Sequence, residues 1–127
     1  MKKHHVIIDC DPGVDDAVML SFAFAARNAL DIAGITTVAG NVSAALTLRN
    51  ACLIRDIAAR PEIPVFAGCV RPLRRASVEA GHFHGKSGLG SLPIAAPHSA
   101  AESSHAVDFI VSTLLDAEPA SVTLVAT

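Results

Sequence analysis

Apolar positions along the chain recur with two different periods. Val6-Ile7-Ile8 is an unbroken β-branched run, the pattern of a strand covered on both faces. Small and apolar residues then run from Ala17 to Arg27 without Gly or Pro, which predicts a helix. Ile32 to Ala39 is strand-like again and is broken by Gly40. Ser43 is placed to N-cap a helix through Arg60, with Leu46, Leu53 and Ile57 on one stripe and Arg49, Asp56 and Arg60 beside it. Pro61 and Pro64 stop that helix, and Val65-Phe66-Ala67 predicts a third strand. From Gly68 to Ser103 the period dissolves into Gly, Pro, His and Ser, and so long an irregular stretch is usually functional or disordered. Ser104 to Ala117 predicts a further helix and Val122 to Ala126 a fourth strand.

This alternation predicts an α/β fold: an open, mostly parallel sheet with helices on both faces. Thr127 falls directly at the end of the fourth strand. A sheet cut there would expose apolar surface and an unpaired edge. The expectation is that residues 1–127 are the amino-terminal part of one larger domain, truncated after its fourth main strand.

Composition narrows the function classes. Of 127 residues, 51% are hydrophobic and 17% charged, which excludes intrinsic disorder. Surface scaling gives a folded area of roughly 6,400 Å², enough to enclose a core. Ten basic against twelve acidic residues create no field for nucleic acid or anionic membrane. No apolar run approaches the roughly 18 residues of a membrane span. Cys10, Cys52 and Cys69 show no pairing pattern and read as reduced thiols, which points to the cytoplasm. Trp and Tyr are absent, so no aromatic platform for stacked bases is expected.

The strongest chemical signal is Asp9-Cys10-Asp11-Pro12-Gly13-Val14-Asp15-Asp16, with four carboxylates in eight residues. It lies at the carboxyl end of the first strand, the edge where open α/β sheets bind ligands. Strand alternation would put Asp9 and Asp11 on one side, and Pro12-Gly13 would turn the chain. Asp15 and Asp16 would then sit in a helix's first turn, where the dipole favours negative charge. So many carboxylates repel, and a hard divalent cation is the natural neutraliser. With no thiolate or imidazole in the cluster, Ca²⁺ or Mg²⁺ fits better than zinc. An EF-hand starting at Asp9 fails, because Val14 stands where Gly is needed and Leu20 where Glu is needed. A haloacid-dehalogenase-like phosphatase, Mg²⁺-dependent, also opens with a strand and Asp-x-Asp, but Gly13 stands where those enzymes carry Thr or Val.

DCDPGVDDAV closely resembles the amino-terminal signature of the inosine–uridine-preferring nucleoside hydrolases. Further matches follow in order: Ile35-Thr36-Thr37-Val38-Ala39-Gly40-Asn41, Pro64-Val65-Phe66-Ala67-Gly68, His84-Gly85-Lys86-Ser87-Gly88-Leu89-Gly90 and Val122-Thr123-Leu124-Val125-Ala126-Thr127. The resemblance spans essentially the whole chain and only the amino-terminal portion of that family's usual length. It implies a Rossmann-like nucleoside hydrolase fold and hydrolysis of the N-glycosidic bond of ribonucleosides by a Ca²⁺-bound water, releasing ribose and free base for purine or pyrimidine salvage. By position, Asp11 would be general base and metal ligand, Asp16 the second acidic ligand, and the Thr127 carbonyl a third. Asp15 and Asn41 would bind the ribose, and Asp9 would orient the metal ligands. His84 would protonate the leaving base. A ribonucleoside is then the expected small-molecule partner, and a homo-oligomer the expected state of the intact protein.

The other histidines carry weaker readings. His4 and His5 read as solvated terminal residues, His82 as a loop residue, and His98 and His105 are given no role. Arg71, Arg74 and Arg75 read as a solvated loop. Beside the hydrolase stand two alternatives, the phosphatase above and a truncated module without turnover.

Overall fold

The computed structural model describes residues 2–93 and 95–127. The first strand is longer than its apolar run: β1 is His4–Cys10, because parallel neighbours on both sides extend the pairing beyond Val6-Ile8. It is followed by α1 (Val14–Ala25), β2 (Leu30–Thr37), α2 (Ala44–Ile57) and β3 (Val65–Ala67). A single helical turn, α3 (Gly81–His84), then precedes α4 (Ala106–Asp116) and β4 (Val122–Ala126). The strands form one sheet in the order β3-β2-β1-β4, every pair parallel. The expected α/β architecture is therefore present.

Strand phase decides what each face carries. The β1–β2 register slips between Val6 and Ile7, after which Ile8 pairs with Ile35 and Cys10 with Thr37. Val6, Ile8, Cys10, Ile35 and Val65 pack with Leu20 and Phe24 of α1 and Ala51 and Ile54 of α2 into the main core. Each fully buried Ile or Leu there contributes about 1.5–3 kcal/mol. On the opposite face, Phe109 of α4 stacks on Phe66 at 3.9 Å between ring centroids. Its ring also lies where a side chain at Gly34 would be. The helices thus cover both faces.

Several local expectations change. Ser43 stands at the N-terminus of α2 but its side chain makes no capping hydrogen bond. The expected stripe of α2 holds at Leu53, which lies in the core, but not at Ile57, which is 76% exposed, while Thr47, Asn50 and Arg55 are buried. Backbone carbonyls from distant loops accept most of their donors, which is why they can sit inside, although Asn50 Oδ1 and Arg55 Nε keep no hydrogen-bond partner among the described residues. Thr47 Oγ1 donates to the Val38 carbonyl at 2.8 Å. Arg55 donates to the carbonyls of Ile63, Ser99 and Ala100. His5 lies within β1 and pairs with Asp31 at 2.8 Å. His105 caps α4, its Nδ1 accepting from the Val107 N–H at 3.1 Å.

The accessible surface is 7672 Å², above the roughly 6,400 Å² expected for this mass. Much of β4 is exposed, including Leu124 and Val125, and it forms one edge of the sheet. Among the described residues no helix is long and apolar enough to cross a membrane.

Candidate functional site

The carboxyl ends of β1, β2 and β4 meet at one edge, and the acidic turn lies there. Its four carboxylates do not stay together. Asp9, paired in register with Thr36, accepts a hydrogen bond from the Thr36 hydroxyl at 2.5 Å. Asp15 points to solvent, with its side chain 75% exposed. Asp11 follows the last residue of β1, so strand alternation no longer places it beside Asp9. Asp16, in the first turn of α1, is 5% exposed.

Asp16 organises this edge. Its Oδ2 accepts from the Asp11 N–H at 3.0 Å, and its Oδ1 from the Thr127 hydroxyl at 2.8 Å. The Thr127 N–H donates in turn to the Asp9 carbonyl at 3.0 Å. These bonds, the two to the Asp16 carboxylate charge-assisted, tie the end of β4 to the turn after β1.

Asp11 is held from the other side by Asn41. The Asn41 N–H donates to Asp11 Oδ2 at 2.6 Å, and its side-chain amide donates to the Asp11 carbonyl at 3.1 Å. Gly40 permits this approach, since a Cβ there would stand 2.0 Å from Asp11 Oδ2. Burial pushes the Asp11 carboxyl above its ordinary value; Asn41 opposes the shift and the Asp16 charge adds to it. Burial also drives the neighbouring Cys10 thiol far upward, reinforced by Asp16, Asp9 and Asp11. The edge therefore carries a concentrated negative field.

His84, at the end of α3, reaches this turn across 70 residues of chain, its Nδ1 lying 3.3 Å from the Val14 N–H. A ring nitrogen that accepts there leaves the proton on Nε2. Asp15 Oδ1 is 3.9 Å from the same Nδ1, a contact that becomes an ion pair only when the imidazole is protonated. His82 stays exposed beside Phe83, and Arg71, Arg74 and Arg75 are exposed in the loop.

The donor chemistry fits a hard cation. Asp11, Asp16 and the Thr127 carbonyl offer oxygen and no nitrogen or sulfur. Among the described residues, no three His, Cys, Asp or Glu side chains group tightly enough to hold an ion by themselves. Two carboxylates and a carbonyl fall short of the 6–8 oxygens Ca²⁺ takes, so water or sugar hydroxyls would complete the sphere. The sequence reading missed three contributors: Thr36, Gly40 and Asn50. Thr36 and Gly40 lie within the matched Ile35-to-Asn41 segment, which was their available signal, whereas the burial of Asn50 has none in the sequence.

The structure defines an open parallel α/β sheet with an acid-rich carboxyl edge, and comparison with known proteins identifies the family. The sequence profile of the inosine-uridine preferring nucleoside hydrolases matches residues 6–127. The chain belongs to that family. It is 45% identical over 119 residues to an uncharacterized protein of Schizosaccharomyces pombe, covering 94% of this chain and 38% of that one. It is 42% identical over 123 residues to the inosine-uridine preferring nucleoside hydrolase of Crithidia fasciculata, covering 96% and 39%. The purine-preferring ribonucleoside hydrolase from Gardnerella vaginalis superposes with a TM-score of 0.88 at 31% identity, covering 97% of this chain and 40% of that one. The chain thus spans about two-fifths of the length of the curated relatives it matches.

Proposed function

We propose that this chain supplies the metal- and ribose-binding part of a nucleoside hydrolase, a single domain of which residues 1–127 form the amino-terminal portion. The reaction is cleavage of the N-glycosidic bond of a ribonucleoside by water. The observation that carries this reading is the convergence of Asp11 and Thr127, residues 116 apart, on the buried carboxylate of Asp16.

The geometry supports the following division of roles. A bound Ca²⁺ would supply a Lewis-acid centre that lowers the pKa of water and gathers oxygen ligands. Asp11, Asp16 and the Thr127 carbonyl would hold it. Asp11 would take the proton from water, while its Oδ2 stays fixed on the Asn41 N–H. Asp15, exposed beside this edge, would accept from a ribose hydroxyl, and Asn41 would face the sugar. Asp9 would position the set through Thr127 and Thr36. His84, with its proton on Nε2, would donate to the departing base, whose developing charge needs a separate donor from the sugar side.

The chain by itself is proposed to be inactive, since it spans only about two-fifths of the length of the curated relatives it matches. Free Cys10, Cys52 and Cys69 support a reducing, cytoplasmic setting. Exposed Val18 and Phe22 on α1 supply apolar surface for homo-oligomer assembly. Nothing in the site favours phosphotransfer.

The test is calorimetric titration of Ca²⁺ into the chain, followed by ribose addition monitored at the Asp15 and Asn41 amides. Metal-dependent ribose shifts are expected. Absence of both heat and shifts would overturn the reading, and inosine or uridine hydrolysis at an ordinary enzymatic rate would overturn the claim of inactivity.

A further inference from the structure

We propose that Asn50 is a positioning residue that locks the glycine loop 84–90 onto the acidic turn and thereby sets His84 against Val14. The inference deepens the reading of these two segments as one site and rests on it for its functional meaning. Asn50 lies in α2 and is fully buried. Its side-chain amide donates to the Pro12 carbonyl at 3.1 Å and to the Ser87 carbonyl at 2.8 Å. Both partners are acceptors, so the orientation of the amide is settled by chemistry, with Nδ2 between them. The two carbonyls are 75 residues apart, and one nitrogen joins them.

Each end of this bridge leads to the site. Pro12 lies between Asp11 and Gly13, so fixing its carbonyl fixes the turn that presents Asp11 and begins α1. Ser87 belongs to a loop with its own internal bonds. The Gly88 N–H donates to the Gly85 carbonyl at 3.1 Å, and the Gly90 N–H to the His84 carbonyl at 2.7 Å. Ser87 Oγ accepts from the Leu89 N–H at 3.2 Å, and Leu89 is buried in the core. A loop braced in this way moves as a unit, so anchoring Ser87 anchors His84. Gly88 has φ +85°, and a Cβ there would stand 2.9 Å from Asn50 Nδ2. Glycine lets the loop come down onto the amide.

A purely space-filling Asn50 would affect stability and leave the His84 ring unchanged in any folded variant. The two roles separate spectroscopically in the 127-residue chain, with no turnover required. In ¹⁵N-labelled protein at about pH 8, where an ordinary imidazole is neutral, His84 should show a proton on Nε2 and an accepting Nδ1. In Asn50→Ala the His84 nitrogens should move to the averaged pattern of exposed His82. Exchange of the Val14 amide should rise by about five- to tenfold, the worth of one hydrogen bond. Asn50→Ser, which can donate to one carbonyl only, should lie between. Gly88→Ala should produce the same release from the loop side with Asn50 intact. Unchanged His84 nitrogens in folded Asn50→Ala would overturn the proposal, as would unfolding of all three variants, which would leave Asn50 a structural role alone. Failure to bind Ca²⁺ or ribose would count against the hydrolase reading and leave this measurement untouched.

Discussion

The carboxylate of Asp16 accepts a hydrogen bond from the hydroxyl of Thr127 at 2.8 Å, joining residues 111 apart in sequence. Parallel pairing of β1 with β4 makes that meeting possible, because both strands then deliver their carboxyl ends to one edge. The same Asp16 carboxylate receives the Asp11 N–H, so a single side chain sets two of the three candidate metal ligands.

Thr127→Val keeps the backbone carbonyl and removes the hydroxyl. Loss of such a supporting bond to a metal-ligating carboxylate should weaken Ca²⁺ binding by about 10- to 100-fold. Asp16→Asn should weaken it most, and Asp11→Asn should weaken it and abolish turnover in the hydrolase-competent protein. Calorimetry giving wild-type affinity in all three would remove the metal assignment.

Gly40→Ala places a methyl group 2.0 Å from Asp11 Oδ2. The Asn41 N–H contact should break, and overpacking should cost about 1–3 kcal/mol. Chemical denaturation reads the cost, and the Asn41 amide shift reads the broken contact. An unshifted Asn41 amide would mean that the turn gives way elsewhere.

Asp56 anchors the far end of the long loop, its Oδ2 accepting from the His98 N–H at 2.5 Å and the Ser99 N–H at 3.1 Å. Burial acts to raise the Asp56 pKa, but the Ser99 and His98 donors and the Arg55 charge outweigh it and hold it below the ordinary value. A depressed carboxyl adds stability that is complete above its unfolded pKa, near 3.9, and disappears as pH falls through the lower folded value. Amide exchange at His98 and Ser99 should therefore stay slow down to about pH 4 and accelerate below it. In Asp56→Asn, the loss of protection should no longer track acid.

Arg55→Met removes donors from the carbonyls of Ile63, Ser99 and Ala100 and leaves Asp56 without its cationic neighbour. Removing one partner of a buried pair typically costs about 3–5 kcal/mol. The denaturation midpoint should fall accordingly. A change below about 1 kcal/mol would show that the loop carbonyls find water instead.

His84→Ala, in the hydrolase-competent protein, should strongly slow nucleosides whose base leaves poorly. It should barely affect p-nitrophenyl riboside, whose leaving group needs no proton. Equal losses on both substrates would reduce His84 to a loop support.

The sequence by itself determined the strand–helix alternation, the parallel sheet and the acidic turn, because each is encoded locally. β-branched runs specify strands, Pro12-Gly13 specifies the turn, and DCDPGVDDAV with its ordered companions specifies the family. Tertiary structure alone decided where each of the four carboxylates lies. Asp9 turned to Thr36 and Asp15 to solvent, which leaves Asp11 and Asp16 at the edge. It also decided which face of α2 is buried: a period count favours Ile57, but Asn50 and Arg55 go inside because carbonyls from remote loops meet them there. Local sequence records the needs of a residue's own backbone and neighbours. Whether a buried amide or carboxylate is satisfied depends on partners that only chain crossover and strand register bring within 3 Å.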